Sequence, residues 1–437
     1  ITGIYLYKLT FIITKNKLAG FVTAFVFIAN PNILYLQSTP MTELPLLAFF
    51  LLSSYYFIRF ILSESNFNYI LLAALFGFCA TLTRYDGWFL VIVEAAVMAL
   101  VYFPIKFHWY SKLSKIFYWD RFTWQKLQGH VVLFASLAFF GIVLWLAWGY
   151  LILGDPLYFT HSEFSAKSQQ QSWLARGELP AYHHIGQSIT YYTATTWSNI
   201  GSVVFLMAMV GCAAYLFDRK IQHRWLLLII LSVPFVFNVV TLFLGQSVIF
   251  IPQVTASNFE WNLFNVRYGV MMVPLAAFAV GYLFYKVKPA FKVIVALALV
   301  AQASMYPFGI EKVISYEDGV AGLSSASAKI PTAQYWVNDH YDHGLVLVDD
   351  FARTLSIVRT SIPMQNMIYV GNKPYWDESL KAPEKYARWI IMQKDDAVWK
   401  SILDDQNTQD RLYKYFEKTY TSPEILVFRR NDKVAAE

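Results

Sequence analysis

Apolar runs recur along the first 309 positions of the chain, broken by short polar connectors. The runs at 1–14, 18–38, 44–62, 69–83, 88–105, 130–153, 200–217, 225–250, 267–285 and 292–309 are dominated by Leu, Ile, Val, Phe and Ala. A helix that crosses a bilayer needs about 20 mostly apolar residues, so this pattern predicts an α-helical polytopic membrane protein with about ten spans. The run from 69 to 105 would overshoot a bilayer as one helix, and it is read as two short helices meeting at Arg84-Tyr-Asp-Gly87. Residue 1 lies inside or just before an apolar stretch with no signal-peptide pattern, and it is read as a truncation point.

Beyond residue 309 the periodicity changes. Segment 310–437 has ordinary charge density and short apolar runs, namely Gly344–Asp350, Asn366–Val370 and Glu424–Phe428. Helical patterns lie between them at 331–342 and 396–419, so this part is expected to be a small α/β domain. No internal repeat or low-complexity tract is evident.

Composition agrees with the pattern. The 437 residues are 57% hydrophobic and only 15% charged, against roughly 25% charged for soluble domains. Mean hydropathy is +0.41. The two cysteines, Cys79 and Cys212, both lie in apolar runs, which argues against a disulfide framework or a thiolate metal site.

The net charge of +6 would suggest nucleic acid in a soluble protein, but its placement points elsewhere. With alternating spans, the connectors 15–17, 59–68, 106–129, 218–224 and 286–292 carry 14 Lys and Arg. The alternate set, 39–43, 84–87, 154–199 and 251–267, carries four. The positive-inside rule makes the first set cytoplasmic, so nucleic-acid binding gains no support. Residues 310–437 then lie on the outer side. Segment 106–126, with His108, Trp109, Tyr110 and Trp124, fits an interfacial stretch on anionic lipid.

Ionisable groups beside hydrocarbon are costly and usually paired or functional. Thr39-Pro-Met-Thr-Glu43 and Thr83-Arg-Tyr-Asp-Gly-Trp88 fall in the outer set. Glu43 is either a helix-start carboxylate favoured by the helix dipole or one aimed at a ligand or metal. Arg84 and Asp86 either close two short helices as a local salt bridge or, with Arg84 clamping a phosphate, form part of a site. Tyr85 and Trp88 stand at interface depth. Glu94, within a span, is expected to face the bundle interior as a hydrogen-bonded carboxyl. Arg267, followed by Tyr268, either snorkels to the interface or adds a second cation for an anionic headgroup. The connector 154–199 is long and polar, which usually marks a functional or disordered loop. It holds His161, Glu163, Gln170, His183 and His184; its aromatics and amides could bind a sugar acceptor, and a zinc site from His161, His183 and His184 is enforced by no spacing.

The run Asn30-Pro-Asn-Ile-Leu-Tyr-Leu-Gln-Ser-Thr-Pro-Met-Thr-Glu43 resembles the GT-C superfamily of integral-membrane glycosyltransferases. So do Thr83–Trp88, Gly154-Asp-Pro-Leu-Tyr158 and Asn265-Val-Arg-Tyr-Gly269, in that order. The likeness is to the bacterial branch near protein O-mannosyltransferases and lipid A aminoarabinose transferases, and it covers residues 1–309. It implies an integral plasma-membrane enzyme that transfers sugar from a polyprenyl-phosphate donor to a lipid, glycan or protein acceptor on the outer face. In that family an acidic residue in the first outer loop acts as base. The first span here ends at Lys15-Asn-Lys17 and so is similar to the family's second helix, leaving the catalytic residue unassigned. On this resemblance Arg84, Tyr85, Arg267, Tyr268, His161 and Gln170 contact substrate. Glu43 and Asp86 are then candidates for catalysis, for sugar contacts, or for holding a divalent cation if one is used. A transporter or flippase of lipid-linked sugars or small anions is the competing class; it would favour broken helices and midplane charges. A non-catalytic scaffold comes third.

Overall fold

The computed structural model describes residues 1–63, 66–102, 121–162, 165–221, 224–327, 331–350, 359–372 and 375–431. Most of the basic segment 106–126, including His108, Trp109 and Tyr110, and Glu163 of the long connector lie outside these residues. Two compact units emerge: Ile1–Trp145 with Gln170–Val320, and Leu146–Gln169 with Ala321–Glu437.

The first unit is a helical bundle. The apolar helix Glu43–Ser63 packs against Phe67–Thr83, Ser202–Leu216 packs against Val273–Lys286, and Lys17–Ile28 lies against both Thr2–Thr14 and Val273–Lys286. A continuous core of Leu, Ile, Val, Phe and Tyr fills the space between them.

Three described helices are long and apolar enough to cross a membrane: Glu43–Ser63, Trp124–Leu153 and Val266–Lys286, the last beginning as a 3-10 turn. The number rises to six if each bent pair is one span. Lys17–Ile28 and Pro31–Gln37 meet at 62°, Ile185–Ile200 and Ser202–Leu216 at 111°, and Arg224–Leu231 and Val233–Phe243 at 43°. The breaks have local causes. Pro31 and Pro234 sit in the first turn of the second helix of their pairs, where the missing N–H costs nothing. Gly201 has φ 92°, a backbone that a side chain resists.

The connector expected over 154–199 is shorter than the sequence suggests, because Ile185–Ile200 is a helix. Its buried face, with Tyr191, Tyr192, Thr195, Thr196 and Asn199, repeats at helical spacing. Those side chains are too polar for the helix to register as an apolar run.

The second unit carries a five-stranded sheet in the order β2-β1-β3-β5-β4. Its strands are β1 (Val346–Val348), β2 (Met367–Ile368), β3 (Trp389–Gln393), β4 (Phe416–Thr421) and β5 (Ile425–Arg430). β1 is parallel to β2 and β3, and β5 is antiparallel to β3 and β4. Alternate residues feed two cores, as a two-residue side-chain period requires. Leu347, Ile390, Met392 and Phe428 join Trp376, Val398, Ile402 and Leu412 in one. Val346, Val348, Trp389 and Ile391 join Ala333 and Val337 in the other. The helical pattern over 396–419 resolves into Ala397–Leu403, Gln406–Tyr415 and then strand β4. Asp405 starts the second helix by accepting from Thr408 N, which is why the stretch divides there.

Candidate functional site

Three segments far apart in sequence meet at one end of the bundle. Glu43 opens its helix and is 1% exposed. Arg84 is a single extended residue between the helices Phe67–Thr83 and Tyr85–Tyr102. The chain can turn so tightly there because Gly87 has no side chain; a Cβ would lie 2.2 Å from the Ala80 carbonyl oxygen. Arg267 sits in the 3-10 turn that begins after Asn265, whose φ of 55° is left-handed.

One carboxylate oxygen joins them. Glu43 Oε1 accepts from Arg84 Nη1 at 3.1 Å and from Arg267 Nε at 3.1 Å. Arg84 also donates through Nε to Asp86 Oδ2 at 3.3 Å and through Nη1 to Thr42 Oγ1 at 3.3 Å. The local salt bridge of Arg84 with Asp86 is present, and the same guanidinium also reaches Glu43 on another helix. The ring of Tyr268 lies under both guanidinium groups, 4.9 Å from that of Arg84 and 5.1 Å from that of Arg267. Tyr192, buried, donates to the Tyr268 carbonyl at 3.1 Å and holds that turn in place.

A fifth charged member, on a fourth segment, was invisible in the sequence. Asp318, 8% exposed, places Oδ2 at 3.5 Å from Arg267 Nη1. Burial pushes its carboxyl above the ordinary carboxylate range, against the opposing pull of the Arg267 charge. It lies in the helix Ile314–Ser327, whose start is tied to the bundle by Ser315. Ser315 N donates to Asn32 Oδ1 at 2.9 Å and Ser315 Oγ donates to Asn199 Oδ1 at 2.8 Å.

Asn199 is the hub of that attachment. Its Nδ2 donates to the carbonyls of Thr195 and Val266, and its own carbonyl accepts from Asn30 and Asn32. These polar groups sit at two of the helix breaks, so the bends and the site share one buried network.

The arrangement leaves specific groups unused. Among the described residues, Nη2 of Arg84 and Nη2 of Arg267 make no hydrogen bond, and the two side chains are 20% and 24% exposed. Glu43 Oε2 and Asp318 Oδ2 likewise have no hydrogen-bond partner among the described residues. A partly exposed pair of guanidinium edges over an aromatic ring suits a phosphate, which a planar fork binds well. No group of three or more His, Cys, Asp or Glu among the described residues could hold a metal ion. The cluster carboxylates face arginines instead, a donor set that does not fit a divalent cation.

The other expected site residues fall elsewhere. Tyr85 packs edge-on against Trp88 and Trp145, at 5.2 Å and 6.1 Å. Gln170 lines a small cavity with Ala181, Tyr182, Tyr191 and Phe250, and none of its described contacts includes the arginines. His161 belongs to the second unit, where Nε2 lies 2.7 Å from Asp155 Oδ2. His183 stacks on Tyr182 at 3.9 Å. Glu94 is fully buried in the bundle and meets Ser53 Oγ at 2.8 Å.

Fold and site together define a helical membrane protein with a charged cluster at one end of its bundle and a small mixed-sheet unit. In comparison with known proteins, no family model and no curated protein matches the chain.

Proposed function

We propose that the chain is a polytopic plasma-membrane glycosyltransferase with about ten spans, transferring a sugar from a polyprenyl-phosphate donor to an acceptor hydroxyl on the outer face. The observation that carries this is the convergence of Arg84 and Arg267 on Glu43, each arginine keeping Nη2 without a hydrogen bond among the described residues. Connector charge supports the outward orientation, and the order of motifs resembling the GT-C superfamily supports the class.

The reaction needs little from the protein beyond charge placement. The acceptor hydroxyl oxygen attacks the anomeric carbon and gives its proton to a general base that the residues named here leave unassigned, the bond from that carbon to the phosphate oxygen breaks, and the electron pair leaves on the lipid phosphate. Arg84 and Arg267 Nη2 face that developing charge, and donors so placed contribute roughly 100-fold or more each. Glu43 and Asp86 hold the guanidinium planes and offer acceptor oxygens to sugar hydroxyls. No step is routed through a metal ion.

The three bent helix pairs favour a second reading, a carrier of lipid-linked sugars, since broken helices often line transport sites. A transfer assay separates the two. Arg84→Lys keeps the charge but loses the fork, so under the transferase reading it lowers transfer about 100-fold while the protein remains folded.

A further inference from the structure

The charged cluster is unbalanced. Two guanidinium groups, Arg84 and Arg267, face three carboxylates, Glu43, Asp86 and Asp318. Glu43 and Asp86 have clear structural work: one bridges the two arginines and the other fixes Arg84 at its own helix start. Asp318 is tied to the turn that carries Arg267, accepting from the backbone N–H groups of Asn265 and Arg267, but only part of its carboxyl is used. Its Oδ2 stands 3.5 Å from Arg267 Nη1, and that buried oxygen makes no hydrogen bond among the described residues.

A buried carboxylate with an unsatisfied oxygen is costly, and such a group is retained where it does something else. The fold holds it there deliberately. Ser315, one turn earlier in the same helix, is fixed by Asn32 and Asn199, and Tyr316 packs edge-on against Tyr35 at 5.5 Å. Asp318 therefore cannot drift away from the arginine pair without undocking its helix.

We infer that Asp318 is a charge-selectivity residue, setting the arginine pair to take a singly charged phosphodiester in preference to a pyrophosphate. The inference rests on the reading that this pair binds a lipid phosphate. A bound phosphodiester brings one negative charge to Nη2 of the two arginines, which the cluster accommodates. A pyrophosphate brings further negative charge close to Asp318. A like charge a few ångströms away in a half-buried setting shifts affinity by about tenfold or more. The same repulsion favours release of the product, a lipid phosphate monoester that carries more charge than the donor.

The test compares two probes of the same chain length, the methyl ester of a polyprenyl phosphate and a polyprenyl pyrophosphate. Binding of each to the full chain in nanodiscs is measured for the wild type, Asp318→Asn and Asp318→Glu. The wild type is expected to prefer the phosphodiester. Asp318→Asn is expected to move the affinity ratio at least tenfold toward the pyrophosphate, and Asp318→Glu to keep the wild-type ratio. The ratio cancels any general loss of folded protein, and the charge-retaining Asp318→Glu covers the case in which the amide variant fails to fold, since a reversed preference there also overturns the inference. An unchanged ratio in Asp318→Asn, with both probes still bound and still lost in Arg267→Ala, overturns the selectivity role and leaves the binding site standing. If the wild type binds neither probe, the lipid-phosphate reading itself falls.

Discussion

Replacing Asn199 by Ala should unfasten the site from within the bundle. Its side chain makes three buried hydrogen bonds: to the Thr195 carbonyl at 2.8 Å, to the Val266 carbonyl at 2.7 Å, and from Ser315 Oγ at 2.8 Å. Thr195 keeps its helical partner in the variant. The Val266 carbonyl and Ser315 Oγ lose theirs in a dry setting, and each unsatisfied group costs about 1–3 kcal/mol, so the expected loss is about 2–6 kcal/mol. Asn199→Asp is nearly isosteric and retains Oδ1, yet it turns an anion toward two carbonyl oxygens and should be no milder. Ser315→Ala strands only Asn199 Oδ1 and should cost about 1–3 kcal/mol, less than Asn199→Ala. Unfolding in mixed micelles by SDS titration, with the three variants compared at their midpoints, reads these differences. Arg267 directly follows Val266, so Asn199→Ala should also weaken binding of a polyprenyl phosphate. A loss below about 1 kcal/mol in Asn199→Ala would refute the hub, because two stranded polar groups cannot be that cheap.

Two further outcomes are expected. Gly201→Ala meets both a φ of 92° and the Gln302 amide, 2.5 Å from the new Cβ. Gln302 caps the next helix at Val203 N, so the change should cost about 1–3 kcal/mol of strain, again read as an SDS midpoint; no shift would mean the bend tolerates a side chain. Asp342 accepts from Arg388, Trp389 Nε1 and Arg429, and the Arg388 bond leads in holding its carboxyl at about 2. A depressed folded value means the contribution is present above the ordinary carboxylate range and lost as pH falls through about 2. Pepsin cleavage within β3 should therefore rise as pH approaches 2 in the wild type and be high already at pH 4 in Asp342→Asn. Equal cleavage of both at pH 4 would remove Asp342 from that role.

The sequence showed what stands out locally and concealed what does not. Glu43, Arg84, Asp86 and Arg267 are charges in apolar surroundings, so contrast alone marked them; that one carboxylate oxygen joins both arginines is a property of the packed helices. Asp318 lies in a stretch of ordinary charge density and had no contrast to betray it. The helix Ile185–Ile200 escaped because its buried face is made of Tyr, Thr and Asn, and its periodicity is polar. The strand β4 follows the helix Gln406–Tyr415 without a gap, so the helical pattern ran on through it. Asn199 could have been suspected only from Gly201 two residues later, a helix-breaking signal inside an apolar run.

The most direct test of the central claim uses the full chain in proteoliposomes with a radiolabelled polyprenyl-phosphate sugar and a cell-envelope extract as acceptor. Label is followed both into acceptor and across the bilayer, for the wild type and for Arg84→Lys. The account predicts covalent label on acceptor with the wild type and about 100-fold less with Arg84→Lys. Label that crosses the bilayer while remaining on its lipid, with none on acceptor, would contradict it and establish a carrier instead.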